Sequence, residues 1–131
     1  MRMRSLLFVP GDRPDRMKKA RGLDADALIL DLEDSVTAAK KDDARKSVAD
    51  FLGEPRTALV FVRVNPAPAL MERDLAMVMP GRPDGIMLPK AEGGASVAAL
   101  ARRLDALGDR HARILPIATE TPAAIFALGT Y

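Results

Sequence analysis

The chain has 131 residues, with 20 lysines and arginines, 18 aspartates and glutamates, and no cysteine. This length fits one domain, and the lack of cysteine excludes disulfides, thiolate nucleophiles and thiolate metal ligands. Basic and acidic residues are interspersed and aromatic residues are few, which argues against a nucleic-acid-binding protein. No apolar run reaches the ~20 residues of a membrane helix or forms a secretory signal, so we expect no membrane association and a cytoplasmic location.

Five short apolar segments are predicted to be β-strands. They are residues 5–10, 27–32, 59–65, 85–90 and 113–120. Most are continuous rather than alternating, which is typical of strands that are covered on both faces, as in a parallel sheet.

Helical signals follow each of these segments. The predicted helices are one that begins at Pro14, one over residues 37–52, a short one around 71–79, one from Ser96 to Gly108, and one opened by Thr121 and Pro122. Proline suits a first helical turn, serine and threonine suit an N-cap, and glycine suits the residue after a helix.

This alternation of strands and helices predicts an α/β fold with a parallel sheet. The chain length favours a small doubly wound sheet of the flavodoxin type. The spacing of the strands also fits consecutive units of a (β/α)₈ barrel. Pattern and length leave both architectures open.

Polar and charged side chains lie at the end of every predicted strand. The carboxyl ends of parallel strands meet at one edge of the sheet, where both architectures bind ligands. The side chains predicted at this rim are Arg13, Asp31, Glu33, Asp34, Arg63, Asn65, Lys90 and Glu120.

Carboxylates from two strands, with arginine and lysine between them, indicate a site for a divalent cation and an anionic substrate. Mg²⁺ prefers oxygen ligands and usually binds one or two carboxylates together with water and substrate oxygens. Glu120 is the best candidate for a direct ligand, and Glu33 and Asp34 are suited to orient metal-bound water. The planar guanidinium of Arg63 matches a carboxylate or a polarised carbonyl.

Each of these residues also has a structural interpretation. Acidic residues after a strand often stabilise the N-terminus of a helix, which applies to Glu120 before Pro122. Arg63 could form an ordinary ion pair, and Lys90 could extend into solvent. Their placement together at one edge favours the functional interpretation.

Five motifs in order resemble the HpcH/HpaI aldolase and citrate lyase beta-subunit family, especially its citrate lyase beta-like members. They are R-S-L-L-F-V-P-G-D-R-P-D-R-M-K-K-A, D-A-L-I-L-D-L-E-D-S-V, V-F-V-R-V-N, D-G-I-M-L-P-K and I-A-T-E-T-P. Their order and spacing cover essentially the whole chain.

The resemblance implies a (β/α)₈ TIM-barrel fold and a Mg²⁺-dependent carbon–carbon lyase that acts on β-hydroxy acids, often as coenzyme A or acyl-carrier thioesters. It implies that Glu120 is a direct metal ligand. It implies that Arg63 is a catalytic and substrate-binding residue for the keto-acid portion. Glu33 and Asp34, counted with the catalytic residues, would hold metal-bound water.

By similarity to the malyl-CoA lyase branch, Phe8, Arg13 and Lys19 would approach the nucleotide or pantetheine end of the thioester. Residues 1–131 would then be the N-terminal portion of a single barrel domain, with about five of its eight βα units. A second metal ligand, an aspartate of a Gly-x-x-Asp-type turn, is expected after Tyr131. The open edges of the first and fifth strands lead us to expect partner chains. The resemblance implies a homo-oligomer, a trimer or a hexamer.

Two other functional classes fit parts of the sequence. Lys90 could be the nucleophile of a Schiff-base aldolase, a role that requires a lowered lysine pKa. The L-I-L-D-L-E-D stretch resembles the phospho-accepting strand end of a receiver-like signalling module, with Asp31 as the acceptor. The chain could also bind a thioester or a metal without turnover.

Overall fold

The computed structural model describes residues 3–131 and contains one sheet of five parallel strands. The strands are β1 Leu6–Pro10, β2 Ala27–Asp31, β3 Leu59–Arg63, β4 Gly85–Leu88 and β5 Arg113–Pro116. They are hydrogen-bonded in the order in which they occur in the chain. A doubly wound sheet reverses its strand order at a switch point, so this sequential order is that of consecutive barrel units. The barrel-type prediction is confirmed, and the fifth strand ends before the predicted residues 117–120.

A helix follows every strand. The helices are α1 Pro14–Arg21, α2 Lys41–Leu52, α3 Pro68–Val78, α4 Gly94–Ala106 and α5 Pro122–Phe126. Single turns of 3₁₀ helix precede α2 and follow α3 and α5. Proline lies in the first turn of α1, α3 and α5, where its missing N–H has no intrahelical partner to lose.

The N-terminus of α4 differs from the prediction. Gly93, with a φ of 104°, is the N-cap, and Ser96 lies in the first turn instead. The Ser96 hydroxyl accepts a hydrogen bond from the Glu92 N–H at 3.1 Å. The predicted stop at Gly108 is confirmed, since the helix ends at Ala106 and Gly108 has a φ of 76°.

The sheet separates two apolar layers. The side chains that pack against the helices, all nearly inaccessible, are Leu28, Leu30, Val60, Val62, Ile86 and Leu88. The opposite face, the barrel interior, carries the buried residues Ala27, Ile29, Phe61 and Met87. Gly85 makes room for this second layer, because a Cβ at that position would lie 2.4 Å from a ring carbon of Phe61.

Among residues 3–131, no helix combines the length and the apolar character that crossing a bilayer requires.

Candidate active site at the carboxyl end of the sheet

Asp31 and Arg63 form a buried bidentate ion pair at the carboxyl ends of β2 and β3. The two residues are partners in the register of these strands. Arg63 Nε donates to Asp31 Oδ1 and Arg63 Nη2 donates to Asp31 Oδ2, both at 2.7 Å. Asp31, which is 1% exposed, also accepts the backbone N–H groups of Glu33 at 2.9 Å and Ser35 at 3.0 Å. This carboxylate therefore holds the arginine and the following turn in place.

The hydrogen bonds keep both members of this pair charged. Burial by itself raises the pKa of Asp31, but the bonds from Arg63 and from Ser35 and Glu33 outweigh it and lower that pKa to about 2. The bond to Asp31 also raises the pKa of Arg63. With both of its oxygens engaged and no exposure, Asp31 is a poor phosphate acceptor, and the sequential strand order likewise disfavours the receiver-like alternative.

Glu33 lies beside this pair and contacts two cations. One of its oxygens, Oε1, accepts a hydrogen bond from Lys90 Nζ. Its other oxygen, Oε2, lies 3.3 Å from Arg63 Nη1, yet it is buried and accepts no hydrogen bond from residues 3–131. Asp34 is more peripheral, with a side chain 67% exposed and Oδ1 at 3.8 Å from Lys90 Nζ.

Lys90 connects acidic residues that follow β2 and β5, Glu33 and Glu120. Its backbone N–H donates to Glu120 Oε2 at 2.7 Å, while its ammonium contacts Glu33. The hydrogen bond to Glu33 raises the pKa of Lys90. A Schiff-base nucleophile needs the opposite shift, so this geometry disfavours the Lys90 aldolase alternative.

The carboxylates at this rim fit a magnesium ion that is held mainly by water and substrate. Mg²⁺ typically binds only one or two protein carboxylates. Glu120 offers an exposed carboxylate, and Glu33 offers a buried oxygen that accepts no hydrogen bond within the described part of the chain. In residues 3–131, no cluster of three or more His, Cys, Asp or Glu side chains is arranged to hold a metal, so an all-protein cage is not what this part of the chain provides.

The three residues predicted for the thioester occupy different surroundings. The Phe8 ring on β1 packs against the Arg63 guanidinium, 4.9 Å from its central carbon to the ring centroid. Arg13 is exposed and forms two hydrogen bonds to Asp15, at 3.0 and 2.9 Å. Lys19 is exposed on α1. The structure thus brings Phe8 to Arg63. Arg13 and Lys19 lie farther along the same βα unit, directly before α1 and within α1.

A buried polar network beneath the rim was not predicted. Asp74 of α3 accepts Arg45 Nε at 2.7 Å through Oδ1, and the N–H and Nδ2 of Asn65 through Oδ2, each at 2.8 Å. Asp74 and Arg45 are both buried, and so is Asn65, which the sequence had suggested for the open rim. The sequence did contain one indication that Asp74 is buried. Asp74 lies on the same face of α3 as the apolar residues Met71 and Val78.

Lys41, at the start of α2, extends this network to the rim. Its Nζ donates to the carbonyls of Leu32 and Glu33, each at 2.6 Å. Burial lowers the pKa of Lys41, while the nearby carboxylates oppose that shift.

Sequential parallel βα units with a charged rim at the carboxyl end define part of a barrel enzyme fold that binds its ligand at that end. The family model of the HpcH/HpaI aldolase/citrate lyase family matches residues 4–121, and the chain belongs to this family. The predicted family is therefore confirmed.

Several curated proteins are similar to this chain. A citrate lyase subunit beta-like protein of Mycobacterium tuberculosis is 43% identical over 97 residues, which are 74% of this chain and 35% of that protein. A (3S)-malyl-CoA thioesterase of Cereibacter sphaeroides is 38% identical over 101 residues, 75% of this chain and 35% of the relative. The mitochondrial citramalyl-CoA lyase of Homo sapiens is 39% identical over 97 residues, 68% of this chain and 28% of the enzyme. The chain thus spans about a third of the length of these relatives.

Solved structures show the same fold. The citrate lyase beta subunit of M. tuberculosis, complexed with oxaloacetate and magnesium, has a TM-score of 0.73 and 35% identity, and the match covers 95% of this chain and 51% of that one. Protein CitE of M. tuberculosis in complex with magnesium, acetoacetate and coenzyme A has a TM-score of 0.64 and 37% identity, over 85% of this chain and 38% of that one. Structural neighbours are therefore crystallised with magnesium, the predicted cofactor.

Proposed function

We propose that the chain carries the keto-acid and magnesium edge of a carbon–carbon lyase. The substrate is a β-hydroxy acyl thioester, such as a citryl or malyl thioester, and the products are an acetyl thioester and a keto acid. The observation that carries the proposal is the placement at one rim of the fixed Arg63 guanidinium, of Glu33, whose Oε2 accepts no hydrogen bond from the described residues, and of the exposed Glu120. The lyases among the relatives, and the complexes with magnesium and oxaloacetate, support it.

Glu120 is the proposed direct ligand of the metal, with Glu33 and Asp34 as acceptors for metal-bound water. Bound Mg²⁺ supplies positive charge that polarises an oxygen of the keto-acid portion. The fit rests on the buried Glu33 Oε2, which has no hydrogen bond from the described residues and is therefore suited to accept one from a water molecule.

Arg63 is the proposed group that binds the keto-acid portion. A guanidinium has five N–H donors, and two of those of Arg63 point at Asp31. The remaining donors, of which Nη1 lies 3.3 Å from Glu33 Oε2, are held in a fixed orientation by this pair and by the Phe8 ring. A preoriented cation stabilises developing negative charge without reorganising during the reaction.

The reaction balances without an oxidant or a reductant. The substrate hydroxyl loses its proton and becomes the keto carbonyl as the carbon–carbon bond breaks. The electron pair of that bond passes to the α-carbon of the acetyl thioester, which then takes up a proton. Arg63 acts by stabilising negative charge on the oxygens of the keto-acid portion during this transfer.

The thioester end is proposed to approach Phe8, Arg13 and Lys19. The two basic side chains are exposed on the βα segment that follows β1, where a nucleotide phosphate could reach them. The neighbour crystallised with coenzyme A supports a coenzyme A thioester as the ligand. Homo-oligomerisation is a further proposal, since β1 and β5 each pair with a single neighbour in the described sheet.

The decisive experiment incubates the purified chain with citramalyl-, malyl- and citryl-CoA and measures keto-acid release as a hydrazone. We expect release that requires Mg²⁺ and stops with EDTA. Arg63→Lys should abolish it, because a lysine cannot reproduce the bidentate pair. Arg103→Lys is the matched control, because Arg103 pairs with Glu72 on the outer surface.

Two results would contradict the proposal. The first is the absence of keto acid from all three thioesters in the presence of Mg²⁺. The second is activity that survives EDTA together with borohydride trapping of a substrate adduct on Lys90, which would favour the Schiff-base alternative.

A further inference from the structure

The peptide group between Leu32 and Glu33 is held at both of its ends. Its N–H, from Glu33, donates to Asp31 Oδ1 at 2.9 Å. Its carbonyl, from Leu32, accepts Asn65 Nδ2 at 3.0 Å and Lys41 Nζ at 2.6 Å. Because the peptide group is planar, fixing both ends fixes the direction in which the chain leaves toward the Glu33 side chain.

Asp74 fixes Asn65 in turn. One carboxylate oxygen, Asp74 Oδ2, accepts both the backbone N–H and the Nδ2 of Asn65 at 2.8 Å. The side-chain amide of Asn65 therefore has its donors directed at two acceptors, Asp74 Oδ2 and the Leu32 carbonyl, which sets its orientation. The other oxygen of Asp74 accepts a hydrogen bond from Arg45 Nε at 2.7 Å, so Asp74 is itself held in place by a residue of α2.

Stability alone does not explain this network. A buried ion pair is often no better for stability than well-packed apolar side chains of similar volume. Asp74 is 0% and Arg45 is 3% exposed, and the buried Arg45 Nη2 has no hydrogen-bond partner among the residues that the structure describes. The arrangement leaves Arg45 Nη2 unsatisfied, yet Asn65 Nδ2 and Lys41 Nζ both donate to the Leu32 carbonyl. This is the pattern expected of residues that position the peptide group.

We infer that Asp74 and Asn65 are positioning residues that fix the carboxylate of Glu33 at the rim from beneath. They act through the Leu32 carbonyl and touch no reacting atom themselves. The Asp31–Arg63 pair holds the same peptide group from the opposite end. The functional part of this inference rests on the proposed role of Glu33 in orienting metal-bound water.

The test measures amide hydrogen exchange by NMR in the full chain. Asn65→Ala removes the donor to Leu32, and Asp74→Asn replaces an acceptor oxygen with a donor. In both variants we expect the Glu33 amide to exchange about tenfold faster relative to the Ile86 amide of β4, which reports opening of the core.

The matched control is Asp84→Asn, at the opposite end of the sheet. Asp84 Oδ2 accepts the Val60 N–H at 2.9 Å, so this substitution also disturbs a carboxylate that binds the backbone of β3. The ratio of Glu33 to Ile86 exchange should stay as in the unmodified chain. An unchanged ratio in both Asn65→Ala and Asp74→Asn would overturn the inference, and Asn65→Ala decides alone if Asp74→Asn fails to fold.

A calorimetric titration with pyruvate and MgCl₂ tests the functional part. We expect Asn65→Ala to weaken pyruvate binding about fivefold relative to Asp84→Asn, because Glu33 is less well oriented. Equal affinity in the two variants would overturn the functional part. If the unmodified chain binds no pyruvate, the proposed function fails, while the exchange ratio still decides whether Asn65 and Asp74 position Glu33.

Discussion

Replacing Arg63 with leucine should destabilise the fold strongly and in a pH-dependent way. The substitution leaves Asp31 buried without its cation and removes two hydrogen bonds of 2.7 Å. Removing one partner of a buried ion pair costs about 3–5 kcal/mol. The backbone N–H groups of Glu33 and Ser35 still bind Asp31, so we expect the lower end, about 3 kcal/mol.

The pKa of Asp31 gives a second estimate and the sign of the pH dependence. Its depression from 3.8 to about 2 corresponds to about 2 kcal/mol. A carboxylate with a lowered pKa in the folded state stabilises the fold above its unfolded pKa, and this contribution is lost as the pH falls toward 2. The gap in stability between the unmodified chain and Arg63→Leu should therefore be largest at neutral pH and narrow below about pH 4.

Urea unfolding followed by circular dichroism at pH 7 and pH 3 measures this gap. Arg103→Leu is the control, because Arg103 pairs with Glu72 at the surface, where an ion pair contributes about 1 kcal/mol or less. The reasoning is refuted if Arg63→Leu lowers the free energy of unfolding at pH 7 no more than Arg103→Leu does. It is also refuted if Arg63→Leu lowers that free energy equally at pH 7 and pH 3.

Three further predictions concern other parts of the fold. Gly85→Ala should lower the melting temperature, because the new Cβ would lie 2.4 Å from the Phe61 ring and overpacking costs about 1–3 kcal/mol. Gly129→Ala is the control and should leave the melting temperature unchanged, because a Cβ there would have no atom within 4 Å. Thr121→Ala removes the hydroxyl that caps α5 and should cost about 1 kcal/mol in urea unfolding. MgCl₂ should raise the melting temperature of the unmodified chain but not of Glu120→Gln, and equal shifts would contradict Glu120 as the ligand.

The strands and the rim were predictable because their signals are local. Continuous apolar runs mark β2 and β3, and Asp31 and Arg63 follow directly from where those runs end. Their pairing was not predictable, because it depends on a register that joins residues far apart in the chain. Asp31, Glu33 and Asp34 are close enough in sequence to repel one another, and in the structure Arg63 and Lys90 offset that repulsion.

The buried network escaped prediction for a similar reason. Asn65 follows a strand and so looks like a rim residue, but its N–H and its amide are both taken by Asp74 from α3. The start of α4 was misplaced because serine is a common N-cap, whereas the chain uses the positive φ of Gly93 there. The burial of Asn65 depends on a tertiary contact with α3, and the start of α4 depends on the backbone conformation of Gly93. Local sequence preferences report neither of them.

Lys90 binds two acidic side chains at once, one through its ammonium and one through its main chain. Lys90 is thus a counter-ion that is part of the polypeptide. Unlike a dissolved cation, it cannot diffuse away from the carboxylates when the protein is diluted. The negative edge of the sheet is thus compensated before any solute arrives. Because the bond to Glu120 comes from the main chain of Lys90, that carboxylate keeps its position even when the flexible ammonium end of the side chain moves.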